Sequence, residues 1–158
     1  MFDASSIVHA WDNYPFEIFP PLWAWLGTEV NSGQVQMSMV AAEEVGHVSP
    51  DCSAWLGGSG LHVLPISNAV TQEANRIKQL LAITGDSYHP HGVDENDLFI
   101  IATARTCGCS LVSNEASQLL LPQNPARYRI PAVCNLVTVG VPCDPFLEYL
   151  RKSGKKFA

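Results

Sequence analysis

The chain has 158 residues, of which 47% are hydrophobic, and a formal net charge of −6 at pH 7. This length suits one domain with one hydrophobic core, and the hydrophobic fraction argues against a disordered chain. The acidic charge argues against binding to nucleic acid through a broad basic surface, but a nuclease stays possible in principle, because metal-binding carboxylates are themselves negative.

Short apolar runs alternate with amphipathic segments, which predicts an α/β domain with a mainly parallel sheet. Residues 1–4 are predicted to form a first strand. Ser5 or Ser6 is predicted to cap a helix that ends near Asp12, before Pro15.

A second helix is predicted over 20–30, because its two opening prolines suit a first helical turn. Alternating apolar residues over 34–39 predict a strand. Helical turns over 40–48 and a short amphipathic segment over 50–58 complete this half of the chain.

The second half of the chain contains the clearest helix, over 93–107, with acidic residues in its first turn and Gly108 as its C-cap. The other predicted elements are an apolar run over 61–67, a long helix over 68–84 capped by Ser67, a loop over 85–92, a strand within 110–117, a last strand over 134–141 and a last helix within 144–154.

Carboxylates follow the predicted strands or open the helix beside them, where the sites of parallel α/β sheets gather. These residues are Asp3, Glu43, Glu44, Asp94, Glu95, Asp97 and Glu115. Such oxygen ligands suit Mg²⁺ or Mn²⁺. These ions can activate a water molecule that hydrolyses a phosphodiester bond.

Simpler interpretations of the same acidic residues stay open. Capping and the helix dipole alone favour Asp94 and Asp97 at a helix start. At most one of the adjacent Glu43 and Glu44 is expected to face inward, and Glu115 alone is typical of a solvated turn.

Four short motifs resemble those of PIN-domain ribonucleases. "MFDASSIV" is similar to the family's first strand with its aspartate, "DLFIIATA" to its helix motif and "LVSNEAS" to its "LVTND" segment. "AAEEV" lies where the family has its second acidic residue and favours Glu44 over Glu43. From end to end, the chain resembles a PIN-like subfamily of unknown function most closely.

This resemblance implies one three-layer α/β/α PIN-like domain over 1–158, with a central, mainly parallel sheet. It implies a Mg²⁺- or Mn²⁺-dependent endoribonuclease that cuts RNA, commonly the toxin of a toxin–antitoxin pair with a cognate antitoxin protein. The products expected of such hydrolysis carry 5′-phosphate and 3′-hydroxyl ends.

The resemblance also assigns roles to individual residues. Asp3, Glu44 and Asp97 would bind the metal directly, and Glu115 would bind it directly or through water. Glu115 replaces the usual aspartate, which leaves the number of ions open. The secondary candidates are Ser5 and Ser113, which could orient ligands or substrate phosphate, together with Glu43, Asp94 and Asn114.

Features outside these motifs predict the cellular compartment and the redox state of the cysteines. Asp3 and Asp12 interrupt any apolar leader, and no run approaches the ~20 apolar residues of a membrane span. The five cysteines are an odd number without secretory context, so we expect them to be reduced in a cytoplasmic protein. A catalytically weak binding module, a nuclease acting on DNA and a homodimer stay open as alternatives.

Overall fold

The computed structural model describes residues 1–157, so the last residue of the predicted domain, at position 158, lies outside the described residues. Its α-helices are Ala4–Asn13 (α1), Pro20–Asn31 (α2), Met39–Val48 (α3), Pro50–Gly58 (α4), Asn68–Leu80 (α5), Glu95–Cys107 (α6), Ile130–Cys134 (α7) and Phe146–Ser153 (α8). Its β-strands are Gln36–Ser38 (β1), His62–Leu64 (β2), Leu111–Val112 (β3) and Cys143–Asp144 (β4).

The strands form two parallel pairs, β1 with β2 and β3 with β4. Phe2 forms a parallel bridge to Met37 on one side and to Val112 on the other. The Phe2 N–H donates to the Gln36 carbonyl at 2.7 Å, and the Asp3 N–H donates to the Val112 carbonyl at 2.9 Å. The N-terminal segment therefore lies between the two pairs, and the predicted α/β class with parallel pairing is confirmed.

Asp3 is the point at which the extended N-terminal segment becomes a helix. Its backbone is extended (φ −82°, ψ 156°), and it occupies the N-cap of α1. The predicted caps Ser5 and Ser6 lie inside the helix instead, and the Ser6 hydroxyl donates to the Asp3 carbonyl at 2.7 Å. Because the helix starts immediately after Asp3, the position of this carboxylate depends on both the sheet and α1.

Helix α6 ends at Cys107 before Gly108, as the sequence predicts, and begins at Glu95, two residues after the predicted start. Asp94 and Asp97 form a reciprocal capping box, in which each side chain accepts a hydrogen bond from the other residue's backbone N–H. Gly108 ends the helix in the left-handed region, at φ 66°. Since both ends are fixed by local interactions, α6 holds its first turn in place beside β1 and α3, which it contacts.

An ion-pair network fastens α6 to its neighbour α5 and to the chain that follows α7. The Glu73 carboxylate lies 2.6 Å from the Arg76 guanidinium and 2.8 Å from that of Arg105. Arg76 also donates to the Thr138 carbonyl at 2.8 Å. The network thereby ties three separate parts of the chain together on the side of α5 and α6.

The predicted strand over 134–141 is wrong, and the one predicted over 34–39 is found as β1 but ends one residue earlier. In both cases helix formation overrides β propensity. The predicted strand over 134–141 is instead the end of α7 and a turn, since Pro131 suits the first turn of a helix and Gly140 adopts φ 60°. Met39, predicted in the preceding strand, is the first residue of α3, because the Ser38 hydroxyl accepts the Ala41 N–H at 3.2 Å and caps that helix.

The expectation that all five cysteines are reduced is wrong for one pair. Cys107 and Cys109 form a disulfide with their Cα atoms 5.4 Å apart. Gly108 between them takes a left-handed backbone conformation, which turns the chain and brings the two cysteines together. The other three cysteines, Cys52, Cys134 and Cys143, are free thiols.

The core is aliphatic around the strands and aromatic around α1, α2 and α8. Phe2 is fully buried. Its ring lies edge-on to those of Tyr149 and Phe146, with ring centroids 4.9 Å and 6.1 Å apart. On the other side of α1, Trp23 stacks on Phe16 at 4.4 Å. Across residues 1–157, no helix has the length and apolar character required to span a membrane.

We expect Phe2→Ala to lower the free energy of unfolding by about 3–5 kcal/mol, because the substitution removes a buried ring and leaves a cavity. Urea denaturation followed by circular dichroism measures this loss. The matched control is Leu119→Ala, at a position that is 97% exposed, and it should change stability by less than about 0.5 kcal/mol. Equal losses in the two variants would contradict the buried anchor.

Candidate metal centre

The Asp3 carboxylate is the most deeply buried acidic group of the candidate site, with only 3% of the residue exposed. Its Oδ2 atom accepts hydrogen bonds from the Ser5 hydroxyl at 2.5 Å and from the Ser113 hydroxyl at 2.9 Å. A buried carboxylate needs such donors to replace the hydrogen bonds that water would give it. Both donate to the same oxygen, so within residues 1–157 the Oδ1 atom has no hydrogen-bond donor.

The segment that follows β3 is held from two sides. The Asn114 N–H donates to the Ser5 hydroxyl at 2.9 Å, and the Asn114 Oδ1 accepts the first N–H of α8, from Phe146, at 2.8 Å. The Glu115 Oε2 accepts the first N–H of α7, from Ile130, at 2.8 Å. Although Asn114 and Glu115 lie outside helices and strands, these bonds fix their side chains relative to Asp3.

Asp97 is half-buried in the first turn of α6, where its Oδ2 accepts the Asp94 N–H at 2.9 Å. Burial raises the pKa of the Asp97 carboxyl to about 8, and repulsion from Asp94, Glu115 and Asp3 adds to this rise. The capping bond from Asp94 opposes the rise but does not cancel it. Asp97 is therefore both a cap, as the simpler interpretation predicts, and a member of an electrostatically coupled group.

The two glutamates of α3 differ in their relation to this group. Burial of the carboxyl raises the pKa of Glu44, although the residue as a whole is exposed, and repulsion from Asp3, Asp94 and Glu115 raises it further. Glu43 is exposed on the same helix, and its side chain makes no hydrogen bond to the described residues. The electrostatic coupling of Glu44 agrees with the preference for Glu44 over Glu43.

The pKa of the Glu115 carboxyl is raised by some neighbours and lowered by others, with a net rise. Burial raises the pKa of its carboxyl, and the negative charges of Asp3 and Asp94 raise it further. The Ile130 N–H and the nearby Arg129 guanidinium act in the opposite direction. The sequence indicated neither of these two contacts, because Arg129 and Ile130 lie 14 and 15 residues further along an irregular loop.

The acidic residues thus form one electrostatic group, which we call the acidic centre, composed of Asp3, Glu44, Asp94, Asp97 and Glu115. Within residues 1–157, no three His, Cys, Asp or Glu side chains are arranged to hold a metal ion as they stand. In addition to burial, the negative charges of Asp3 and Asp94 raise the pKa values of Glu44, Asp97 and Glu115 through space, without a shared coordination shell. Ionising these last three carboxyls together requires either a solvated arrangement or a compensating positive charge.

Comparison with protein-family models finds one match, which covers residues 1–157 and is described as a domain of unknown function, DUF4411. Comparison with curated proteins finds no significant match.

We expect Asp97→Asn to stabilise the protein in chelator, and more so at pH 8 than at pH 5. The pKa of Asp97 rises on folding from 3.8 to about 8. The stability that the protonated Asp97 carboxyl contributes is therefore fully present below pH 4 and is lost as the pH rises through about 8. Asparagine cannot ionise but can still accept the capping bond. Thermal denaturation should show a Tm increase of about 3–6 °C at pH 8.

The control for this prediction is Glu95→Gln, at an exposed position in the same first turn. It changes the charge at the helix start by the same amount but does not remove a buried carboxyl. A Tm difference between wild type and Asp97→Asn that is the same at pH 5 and pH 8 would contradict the raised pKa.

Proposed function

The chain belongs to the DUF4411 family, and we propose that this member is a Mg²⁺- or Mn²⁺-dependent endoribonuclease that hydrolyses RNA phosphodiester bonds. One observation carries the proposal. The Asp3 carboxylate is buried, it accepts hydrogen bonds from two hydroxyl groups, and it lies near the other carboxylates of the acidic centre. Such an arrangement lowers stability in the absence of a cation, and a fold that needed only helix caps would not require it.

The donors of the acidic centre fit a hard divalent cation by their chemistry. All are carboxylate oxygens. Burial is the main cause of the raised pKa values of Glu44, Asp97 and Glu115, and the neighbouring negative charges, which a bound cation would offset, add to it. Asp3, Glu44 and Asp97 would hold the ion directly and Glu115 directly or through water. Because no three of these side chains already form a coordination shell, binding would have to reorient at least Glu44, whose carboxylate makes no hydrogen bond to the described residues.

When bound, Mg²⁺ or Mn²⁺ would offset the charge of the phosphodiester and help a water molecule to lose its proton. The protein's own contribution is position. Ser5 and Ser113 hold the Asp3 Oδ2 and leave the Oδ1 free. The capping box holds Asp97 at the start of α6, and the Ile130 N–H holds Glu115. Preorganised ligands of this kind reduce the reorganisation that binding requires.

The path of the strands supports a PIN-like domain. With Phe2 bridged to both pairs, the parallel segments can be ordered β2, β1, Phe2, β3 and β4. We infer that they act as one central sheet between layers of helices, as in a three-layer α/β/α domain. In this order Asp3 and Ser113 follow neighbouring segments at the same edge, where α/β proteins place their sites.

The biological setting of the proposal comes from the resemblance to PIN-domain ribonucleases. We infer a cytoplasmic toxin that cuts RNA and is restrained by a cognate antitoxin protein. Hydrolysis through an acidic centre does not require a 2′-hydroxyl, so DNA is the alternative substrate. Parallel assays on RNA and DNA strands of the same sequence separate the two.

A binding module is the second candidate function, and one surface favours it. Leu119, Leu120 and Val137 are 97%, 91% and 98% exposed, and Leu119 also lines a groove of about 510 Å³. Exposed apolar side chains of this size are typical of surfaces that contact other molecules. In that case the acidic centre would do little chemistry, which the following experiments test.

We expect Asp3→Asn and Asp97→Asn each to reduce RNA cleavage by about 100-fold or more, because each removes a charge that acts on the reacting phosphate or its metal. The assay compares Mn²⁺ with EDTA on a mixed RNA pool, using variants purified identically. Asp12→Asn, at an exposed position on α1, is the control and should retain activity. Undiminished cleavage in both site variants, with intact circular dichroism, would refute the nuclease assignment.

We also expect Mn²⁺ to stabilise the wild-type protein, by about 2.7 kcal/mol at a concentration 100 times the Kd. Asp3→Asn should lose most of this stabilisation because it loses a ligand charge. Titration calorimetry and thermal denaturation in Mn²⁺ measure the effect. Specific binding that disappears in Asp3→Asn supports the enzyme, whereas no binding by the wild type supports the binding module.

A further inference from the structure

Arg129 lies beside the acidic centre and is fixed there through its backbone. It is the N-cap residue of α7 and directly precedes Ile130, whose N–H binds the Glu115 carboxylate at 2.8 Å. The Arg129 N–H donates to the Gln118 Oε1 at 2.9 Å, and the Gln118 side chain also donates to the Arg127 carbonyl at 3.0 Å. The loop after Glu115 is thereby closed on itself, with Arg129 at its end.

Arg129 is a half-buried residue, and its guanidinium makes no ion pair within the described residues. The ion pairs of arginine in residues 1–157 employ Arg76, Arg105 and Arg151. Arg129 is near enough to Glu115 to lower the pKa of that carboxyl, but the Glu115 Oε2 is already bound to a backbone N–H. A cation thus lies next to the acidic centre with its hydrogen-bonding capacity available.

We propose that Arg129 binds a phosphate oxygen of the RNA backbone at the acidic centre, an inference that rests on the proposed nuclease function. A polyanion approaching a protein with a net charge of −6 is repelled unless positive charge lies where its phosphates bind. A guanidinium presents a planar set of donors that matches phosphate, and it stays ionised at any working pH. Arg129 stands at the edge of the acidic centre by geometry, because the N–H of the next residue, Ile130, binds the Glu115 carboxylate at 2.8 Å.

Arg129 has an alternative, purely structural role, in which its positive charge only balances the negative charge of the Glu115 carboxylate. The two uses predict different measurements. A phosphate-binding residue controls RNA affinity and its dependence on salt. A residue that only neutralises Glu115 affects stability and Mn²⁺ affinity, and it leaves the interaction with RNA unchanged.

The test compares Arg129→Gln and Arg129→Lys with the control Arg127→Gln. Arg127 lies in the same loop, is exposed and carries the same charge, so its removal changes the net charge equally. With Mn²⁺ and a single-stranded RNA substrate, we expect Arg129→Gln to lower kcat/KM by about 10- to 100-fold, the range for losing a charged hydrogen bond. Arg129→Lys should recover part of this loss, and Arg127→Gln should change kcat/KM by less than about threefold.

Two further readouts separate binding from structure. The slope of log kcat/KM against log salt should become shallower by about 0.7 in Arg129→Gln, as expected for one lost phosphate contact on a single strand. Its Tm and Mn²⁺ affinity should not fall below those of Arg127→Gln.

The outcomes distinguish this inference from the proposed function. Cleavage by the wild type with equal activity in Arg129→Gln and Arg127→Gln overturns the role of Arg129 alone. A loss in Arg129→Gln that is explained by a lower Tm or weaker Mn²⁺ binding, with an unchanged salt slope, also overturns it. No cleavage by the wild type in Mn²⁺ overturns the nuclease function and, with it, the RNA contact.

Discussion

The structure depends on one short segment, Phe2 and Asp3, that joins the two strand pairs and contributes a carboxylate to the acidic centre. The Asp3 N–H is bound to the Val112 carbonyl at 2.9 Å, while its side chain accepts from the hydroxyl of the next residue, Ser113. Backbone and side chain are thus fixed by the same neighbouring strand. Since Phe2 is also bridged to Met37 on the other side, the carboxylate cannot shift without disturbing both strand pairs. Any chemistry at Asp3 is therefore built on a segment that is bound to both strand pairs.

This constraint has an energetic consequence for the rest of the acidic centre. Each additional carboxylate near Asp3 is repelled by those already present, and this repulsion contributes to the raised pKa values of Glu44, Asp97 and Glu115. The protein limits the effect by giving Asp97 a capping bond and Glu115 a backbone N–H. These bonds serve as structural contacts and as restraints on potential ligands. The capping and metal-site interpretations of Asp97 are therefore compatible, because one carboxylate can satisfy both.

The sequence predicted those features that depend on local interactions. The start of α6 and its left-handed Gly108 follow from residues within one turn of the helix ends. The predicted strand over 134–141 is wrong because Pro131 favours a helical turn just before it and Gly140 ends the turn that follows. The contacts of Glu115 and Asn114 with Ile130 and Phe146 could not be predicted, since they join positions 15 and 32 residues apart.

The distribution of positive charge bears on how an acidic protein could act on RNA. Arg76 and Arg105 are paired with Glu73 on the side of α5 and α6, where they fasten α5 to α6 and to the chain after α7. Lys152 is paired with Asp144 at 2.6 Å. Basic side chains committed in this way contribute little long-range attraction, and within residues 1–157 the exposed cations outside ion pairs are few, among them Arg127, Lys155 and Lys156. Under the proposed function, affinity for RNA would therefore depend in part on contacts made at the acidic centre itself. Binding of that kind depends on a correctly placed phosphate and a bound cation, and it favours a selective enzyme over one that holds nucleic acid indiscriminately.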